Sequence, residues 1–224
     1  MNETALFIKG HNTFGVDNYR DIEAFLCKYN IDVTYIDYEL TEDISSVYKR
    51  MCKTIRKGDF TYLIGHSMGG FLLYQYIALH PGKINKFKQC ILLMPLASKD
   101  TAVNLLTKIP YIENISLPKS LIYPKNNLYN GGHIWNDMQL TKIIPIKQIC
   151  QCYDLLPSDD ILVQTLNSSP NCILFHASEE KFAVIPKTTL DKLNRLQSID
   201  GKHELYKDPE KAPAFFKALR KQLH

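Results

Sequence analysis

Between Phe60 and Leu79 the chain runs Phe60-Thr61-Tyr62-Leu63-Ile64-Gly65-His66-Ser67-Met68-Gly69-Gly70-Phe71-Leu72-Leu73-Tyr74-Gln75-Tyr76-Ile77-Ala78-Leu79. Phe60 to Ile64 is short, aromatic and branched, and reads as a strand buried on both faces, while Phe71 to Leu79 reads as a helix. The six residues between them hold three glycines. So tight a passage from strand to helix has no room for side chains at its flanks, and a serine at its apex is held in a strained conformation with its hydroxyl raised above the sheet. Gly-x-Ser-x-Gly alone is a short pattern that chance supplies; the strand before it and the helix after it give it weight. Ser67 is therefore the candidate nucleophile. The Met68 N–H, at the start of the helix, faces the position where an oxyanion would develop.

Working outward, Ala5 to Ile8 is a buried strand closed by Gly10, and Tyr19, Ile22, Phe25, Leu26 and Tyr29 recur at helical spacing behind Asp17 as a cap. Val33 to Ile36 is a second strand, followed by the helical stripe Ile44, Val47, Tyr48, Met51 and Ile55. Strands at Cys90 to Met94, Cys172 to Phe175 and, more weakly, Gln197 to Ile199 follow the central one. Leu190, Leu193 and Leu196 mark a further helix, and Phe215, Phe216, Leu219 and Leu223 share one face of the last. Alternation of this kind predicts an α/β domain, a mostly parallel six-stranded sheet with helices on both faces. The rhythm breaks between Ser98 and Ser169, where Pro110, Pro118, Pro124, Pro145 and Pro157 interrupt it. Residues 1–97 and 170–224 are thus expected to form the core, and 98–169 a cap inserted into the same domain.

A serine nucleophile needs a base and an acid. His203, in Gly201-Lys202-His203-Glu204-Leu205, lies after the last strand and before the last helix, where a loop at the C-terminal edge of the sheet can reach Ser67. A loop histidine is ordinarily a solvated surface residue; its position and its place in chain order single this one out. The acid is expected after the strand Cys172 to Phe175, in His176-Ala177-Ser178-Glu179-Glu180-Lys181. Glu180 is preferred to Glu179 because it is one residue nearer the apolar run Phe182 to Ile185, which should pin the loop. Asp100, just after the fourth strand, is a second geometric candidate.

The chain has 224 residues, 45% apolar and 22% charged, with a formal charge of +4, enough for one domain with a sizeable core. Its lysines and arginines are scattered, with no aromatic-basic interleaving, which argues against a nucleic-acid surface. No stretch approaches the length of a membrane span, so stable membrane insertion is not expected, although transient lipid contact is compatible with the sequence. The six cysteines are Cys27, Cys52, Cys90, Cys150, Cys152 and Cys172. Their spacing gives no disulfide framework and no zinc site, and implies reduced thiols in a cytoplasmic compartment. No metal is expected.

Gly-His-Ser-Met-Gly-Gly at 65–70 and Lys-His-Glu-Leu at 202–205 resemble motifs of the α/β-hydrolase superfamily, most closely its monoacylglycerol lipases and lysophospholipases. The resemblance implies a cofactor-free serine hydrolase whose fold lacks the customary N-terminal hairpin. It also implies that the His11 N–H is the second oxyanion donor, in Ile8-Lys9-Gly10-His11, where Lys9 departs from the usual His-Gly. Glu180 aligns with the acid, although the usual residue is an aspartate. Leu105, Leu106, Ile109, Tyr111, Ile112, Leu121, Tyr123, Leu128, Tyr129 and Trp135 could roof an acyl pocket or simply pack the cap; His133 and Trp135 are the candidate substrate contacts. The expected activity is hydrolysis of a small-molecule carboxylic ester, lipid-like or with a small apolar acyl group, through a Ser67 acyl-enzyme. A thioesterase or acyltransferase would use the same groups, and a non-catalytic binding module on the same scaffold is the reading from another class.

Overall fold

The computed structural model describes residues 2–11, 15–97, 111, 114–118, 143–181 and 183–223. Six strands form one parallel sheet: β1 (Glu3–Ile8), β2 (Ile31–Ile36), β3 (Tyr62–His66), β4 (Gln89–Leu93), β7 (Cys172–Ala177) and β8 (Leu196–Ile199), in the order β2-β1-β3-β4-β7-β8. Every pairing is parallel. A separate antiparallel pair, β5 (Ser116–Pro118) and β6 (Ile143–Pro145), lies outside it.

Alternate residues along each strand face opposite helical layers, as the pleat requires. Leu6, Ile8, Leu63, Leu92 and Leu174 pack with α2 (Ile44–Lys57) and α3 (Met68–Leu79). Ala5, Phe7, Ile64, Ile91 and Phe175 pack with α1 (Arg20–Cys27) and the last helix, α7 (Ala212–Arg220). α3 is apolar all round, its Phe71, Leu72, Leu73 and Ile77 buried, because it is wedged between the sheet and its neighbours. Residues 98–169 also contain α4 (Lys147–Asp154) and α5 (Asp159–Asn167), whose Ile149, Cys150, Cys152, Tyr153, Leu162 and Leu166 lie in the same layer as α2 and α3. The Gln148 amide donates to the Glu39 and Glu42 carbonyls, and Gln151 bonds Asp43 and the Ile44 N–H, tying α4 to the start of α2.

Two expected local features differ. Asp17 does not cap α1: it lies in a 3-10 turn over Gly15–Tyr19 and its carboxylate takes the Arg20 guanidinium, while Tyr19 occupies the cap position. The leucine stripe 190–196 is not one helix. A single turn, α6 (Lys187–Leu190), ends where Asn167 bonds the Lys192 carbonyl and the Asn194 N–H, and Leu196 enters β8.

Candidate active site

The elbow begins as an extension of the sheet: the Ser67 N–H donates to the Leu93 carbonyl at 2.9 Å. Its own carbonyl then accepts from both Phe71 and Leu96, each at 3.0 Å. Between those fixed ends the serine takes φ 53° and ψ −117°, a conformation that costs a non-glycine residue about 1–3 kcal/mol. Neighbouring glycines hold it there. A Cβ on Gly69 would sit 2.1 Å from the Ile8 carbonyl oxygen, and one on Gly65 2.5 Å from that of Gly69. From Tyr62 through Tyr74 only Ser67 is not buried, so the turn presents this one residue to the surface. Met68, the first residue of α3, has an N–H with no intrahelical acceptor, as at any helix start.

The other side of the site is built by β7 and β8, which pair with Ala177 opposite Ile199. Their following loops are stapled together: Ser178 N–H donates to Ile199 O and Glu179 N–H to Gly201 O, both at 2.8 Å, and Gly201 takes φ 141° to close the turn. Three residues past one strand end is Glu180, and four past the other is His203. They meet at 2.7 Å, Glu180 Oε2 to His203 Nδ1. The remaining oxygen, Oε1, accepts the Lys181 and Ala183 N–H groups at 2.9 and 3.1 Å, curling the longer glutamate side chain back onto its own turn. Glu180 and His203 are buried, whereas Glu179 is exposed.

A carboxylate can only accept here, so Nδ1 of His203 carries the proton and Nε2 presents a lone pair. Burial works against charging this ring, but the charge and hydrogen bond of Glu180, with help from Glu204, outweigh it and raise its pKa. His203 lies beside the turn that carries Ser67: its ring is 4.9 Å from that of His66, the residue before the serine. His66 is fully enclosed, and burial first, then the neighbouring His203, pushes its pKa well below the ordinary imidazole value. His11 is buried just past Gly10, where a Cβ on Gly10 would come 3.0 Å from the Ser67 Cβ.

Lys9 is buried at the end of β1, its ammonium 2.8 Å from Asp37 and 4.8 Å from the Tyr38 ring centroid. The Tyr38 hydroxyl closes the loop by donating to the Lys9 carbonyl. The lysine thus packs as a matched charge at the head of the loop that carries Gly10 and His11.

The fold as a whole has counterparts among solved structures. The chain has the α/β-hydrolase fold. The monoacylglycerol lipase of Paleococcus ferrophilus superposes with a TM-score of 0.74 at 16% identity, over 98% of this chain and 93% of that one. The soluble variant of monoglyceride lipase from Saccharomyces cerevisiae, in complex with a substrate analog, gives 0.70 at 14% identity over 100% and 86%. A carboxylesterase structure from Nitrososphaera gargenis gives 0.63 at 15% over 99% and 91%. No protein-family model and no curated protein matches the sequence.

Within the hydrolase fold, Ser67, Met68, His11, Glu180 and His203 gather at the C-terminal edge of the sheet, where β1, β3, β7 and β8 end. Asp100, His133 and Trp135, with most of the apolar residues read as a roof, lie outside the described residues; Tyr111 is exposed. Cys150 and Cys152 are buried in α4, and no group of three or more histidine, cysteine or acidic residues suited to a metal exists among the described residues. No described helix is long and apolar enough to cross a membrane. Four residues missed from sequence complete the surroundings: Asn18, Tyr19, Glu204 and Lys207. Glu204 accepts the Asn18 amide at 2.9 Å and pairs with Lys207 at 3.5 Å, all three side chains buried. The one signal in sequence was Glu204's place beside His203.

Proposed function

We propose that this protein is a serine hydrolase acting on carboxylic esters. Ser67 is the nucleophile, His203 the general base, Glu180 the acid that orients it, and the N–H groups of Met68 and His11 the oxyanion donors. The observation that carries the reading is the 2.7 Å bond from His203 to a carboxylate beside a serine held at positive φ, both costly arrangements that core packing alone does not require.

In the first half-reaction His203 Nε2 takes the Ser67 proton as Oγ bonds the substrate carbonyl carbon. The resulting oxyanion is held by the two N–H groups. Collapse breaks the carbon–oxygen bond to the leaving alkoxide, which receives the proton from His203, and an acyl-serine remains. Water then gives a proton to Nε2 as its oxygen bonds the acyl carbon, and collapse breaks the bond from that carbon to Oγ, which takes the proton back from His203 and releases the acid. The substrate class is a small-molecule ester with an apolar acyl group, lipid-like or short, met through transient lipid contact. The cap, residues 98–169, supplies His133 and Trp135 as substrate contacts. Free thiols at all six cysteines support a reducing, cytoplasmic setting.

Labelling with a fluorophosphonate probe tests this directly: wild type is expected to be modified and Ser67→Ala not. Equal labelling of both would exclude Ser67. Turnover of nitrophenyl esters that survives His203→Ala would exclude the base, and no turnover by wild type would favour the binding module. Ester and thioester series of increasing acyl length fix the leaving group and the acyl preference.

A further inference from the structure

Resting on the reading of His203 as base and His11 as oxyanion donor, we propose that Asn18 and Tyr19 are positioning residues that lock the oxyanion loop to the base loop, with neutral His66 as the relay between them. The Gly10 N–H donates to the Tyr19 hydroxyl at 2.7 Å, which therefore accepts on that side. The same hydroxyl lies 3.1 Å from His66 Nδ1, and His66 Nε2 lies 3.4 Å from the His203 carbonyl oxygen. A carbonyl only accepts, so Nε2 carries the ring proton; Nδ1 is then an acceptor, and Tyr19 must donate to it. One direction satisfies every member: Gly10 N–H to Tyr19 O–H to His66 to His203 C=O.

The relay joins three pieces of chain distant in sequence, and its middle member is the residue before the nucleophile. Gly10 lies against all of them, since a Cβ there would come within 3.1 Å of His66 Nδ1, the Tyr19 hydroxyl and the Ser67 Cβ. The relay runs in this direction with His66 neutral, because a second ring proton at Nδ1 would replace the lone pair that accepts from Tyr19. Its enclosure keeps it neutral, with burial and the adjacent His203 both disfavouring the cation.

Asn18, the residue before Tyr19, ties the same stretch of chain to the base loop beyond His203. Its amide nitrogen donates to Glu204 at 2.9 Å and lies 3.2 Å from the Tyr206 hydroxyl, and its amide oxygen takes the Lys207 ammonium. Two adjacent residues thus fix the backbone of His203 through its carbonyl and the carboxylate of the next residue. The reacting groups are held in register without either side chain touching them.

Nitrogen-15 spectra of histidine-labelled wild type are expected to show His66 protonated at Nε2 and bare at Nδ1 between about pH 6 and 8. Tyr19→Phe keeps the ring but removes the link. With nitrophenyl esters its kcat is expected to fall about 10- to 100-fold at nearly constant KM, the signature of misaligned groups rather than of a lost binding contact. Asn18→Ala should act in the same sense, and the double variant should lose less than the product of the two because both act on one loop. A His66 protonated at Nδ1, or a folded Tyr19→Phe enzyme with wild-type kcat, would overturn the proposal. Wild type that is neither labelled at Ser67 nor active would instead overturn the esterase reading, and the His66 tautomer would still decide the relay.

Discussion

Glu180 commits one oxygen to the backbone of its own turn and the other to His203. Because the carboxylate raises the imidazole pKa, His203 must lose its proton before it can act as base, and kcat/KM should fall as pH drops through a value above the ordinary 6.5. Glu180→Gln removes the charge at little cost in shape. We expect kcat to fall by about 10³- to 10⁴-fold and the acid limb to move to lower pH; a pH–rate profile of the variant that superposed on wild type would argue against this role. At Ser67 the strain itself is measurable. Ser67→Gly should be more stable than Ser67→Ala by about 1 kcal/mol in urea melts, since glycine alone takes φ 53° freely. These residues were legible because a strand-turn-helix scaffold of this kind, rather than the chemistry itself, sets their order along the chain and the loops on which they stand. Tyr19 was not. It is fully buried on an amphipathic stripe and reads correctly as core, and only the folded chain reveals where its hydroxyl ends.

At the scale of elements, the elbow depends on how closely α3 approaches β1. Gly69→Ala would drive a methyl into the Ile8 and Lys9 carbonyls, at 2.1 and 2.4 Å, which are backbone and cannot rotate away. We expect a loss of about 3 kcal/mol or more, read as a lower urea midpoint, whereas a loss under about 0.5 kcal/mol would show that α3 can lift from the strand. The strands were legible in sequence because parallel strands buried on both faces are near-continuous apolar runs. Helices α4 and α5 were not: at eight and nine residues, each preceded closely by proline, they are too short for a helical period to stand out. Leu196 reads as helical in the sequence because three-residue leucine spacing is the same whether a turn stops or continues; the Asn167 bonds that stop it come from another element.

Taken whole, two of the four buried histidines among the described residues, His203 and His66, have opposite pH signatures. His203, raised in the folded state, contributes stability in full below about pH 6.5 and loses it as pH rises through its folded value. His66, lowered in the folded state, does the reverse: below about 6.5 the unfolded ring takes a proton that the folded one refuses, and stability falls as pH drops, by roughly 1 kcal/mol per unit. Their joint contribution peaks near the ordinary imidazole value. Urea melts from pH 5 to 8 should show the acid-side decline, and His66→Asn should flatten it; an unchanged slope would place the sensitivity elsewhere. The order of the sheet was not written in any one stretch of sequence, yet it has a consequence for how the molecule comes apart. β3 lies inside the sheet while β8 is its edge, so Ser67 and His203 stand on parts of the chain that open with different ease. Amide hydrogen exchange should be slowest along Tyr62–His66 and faster by orders of magnitude around 196–203. On gentle warming the proposed ester hydrolysis should fall silent, reversibly, while most of the backbone is still protected.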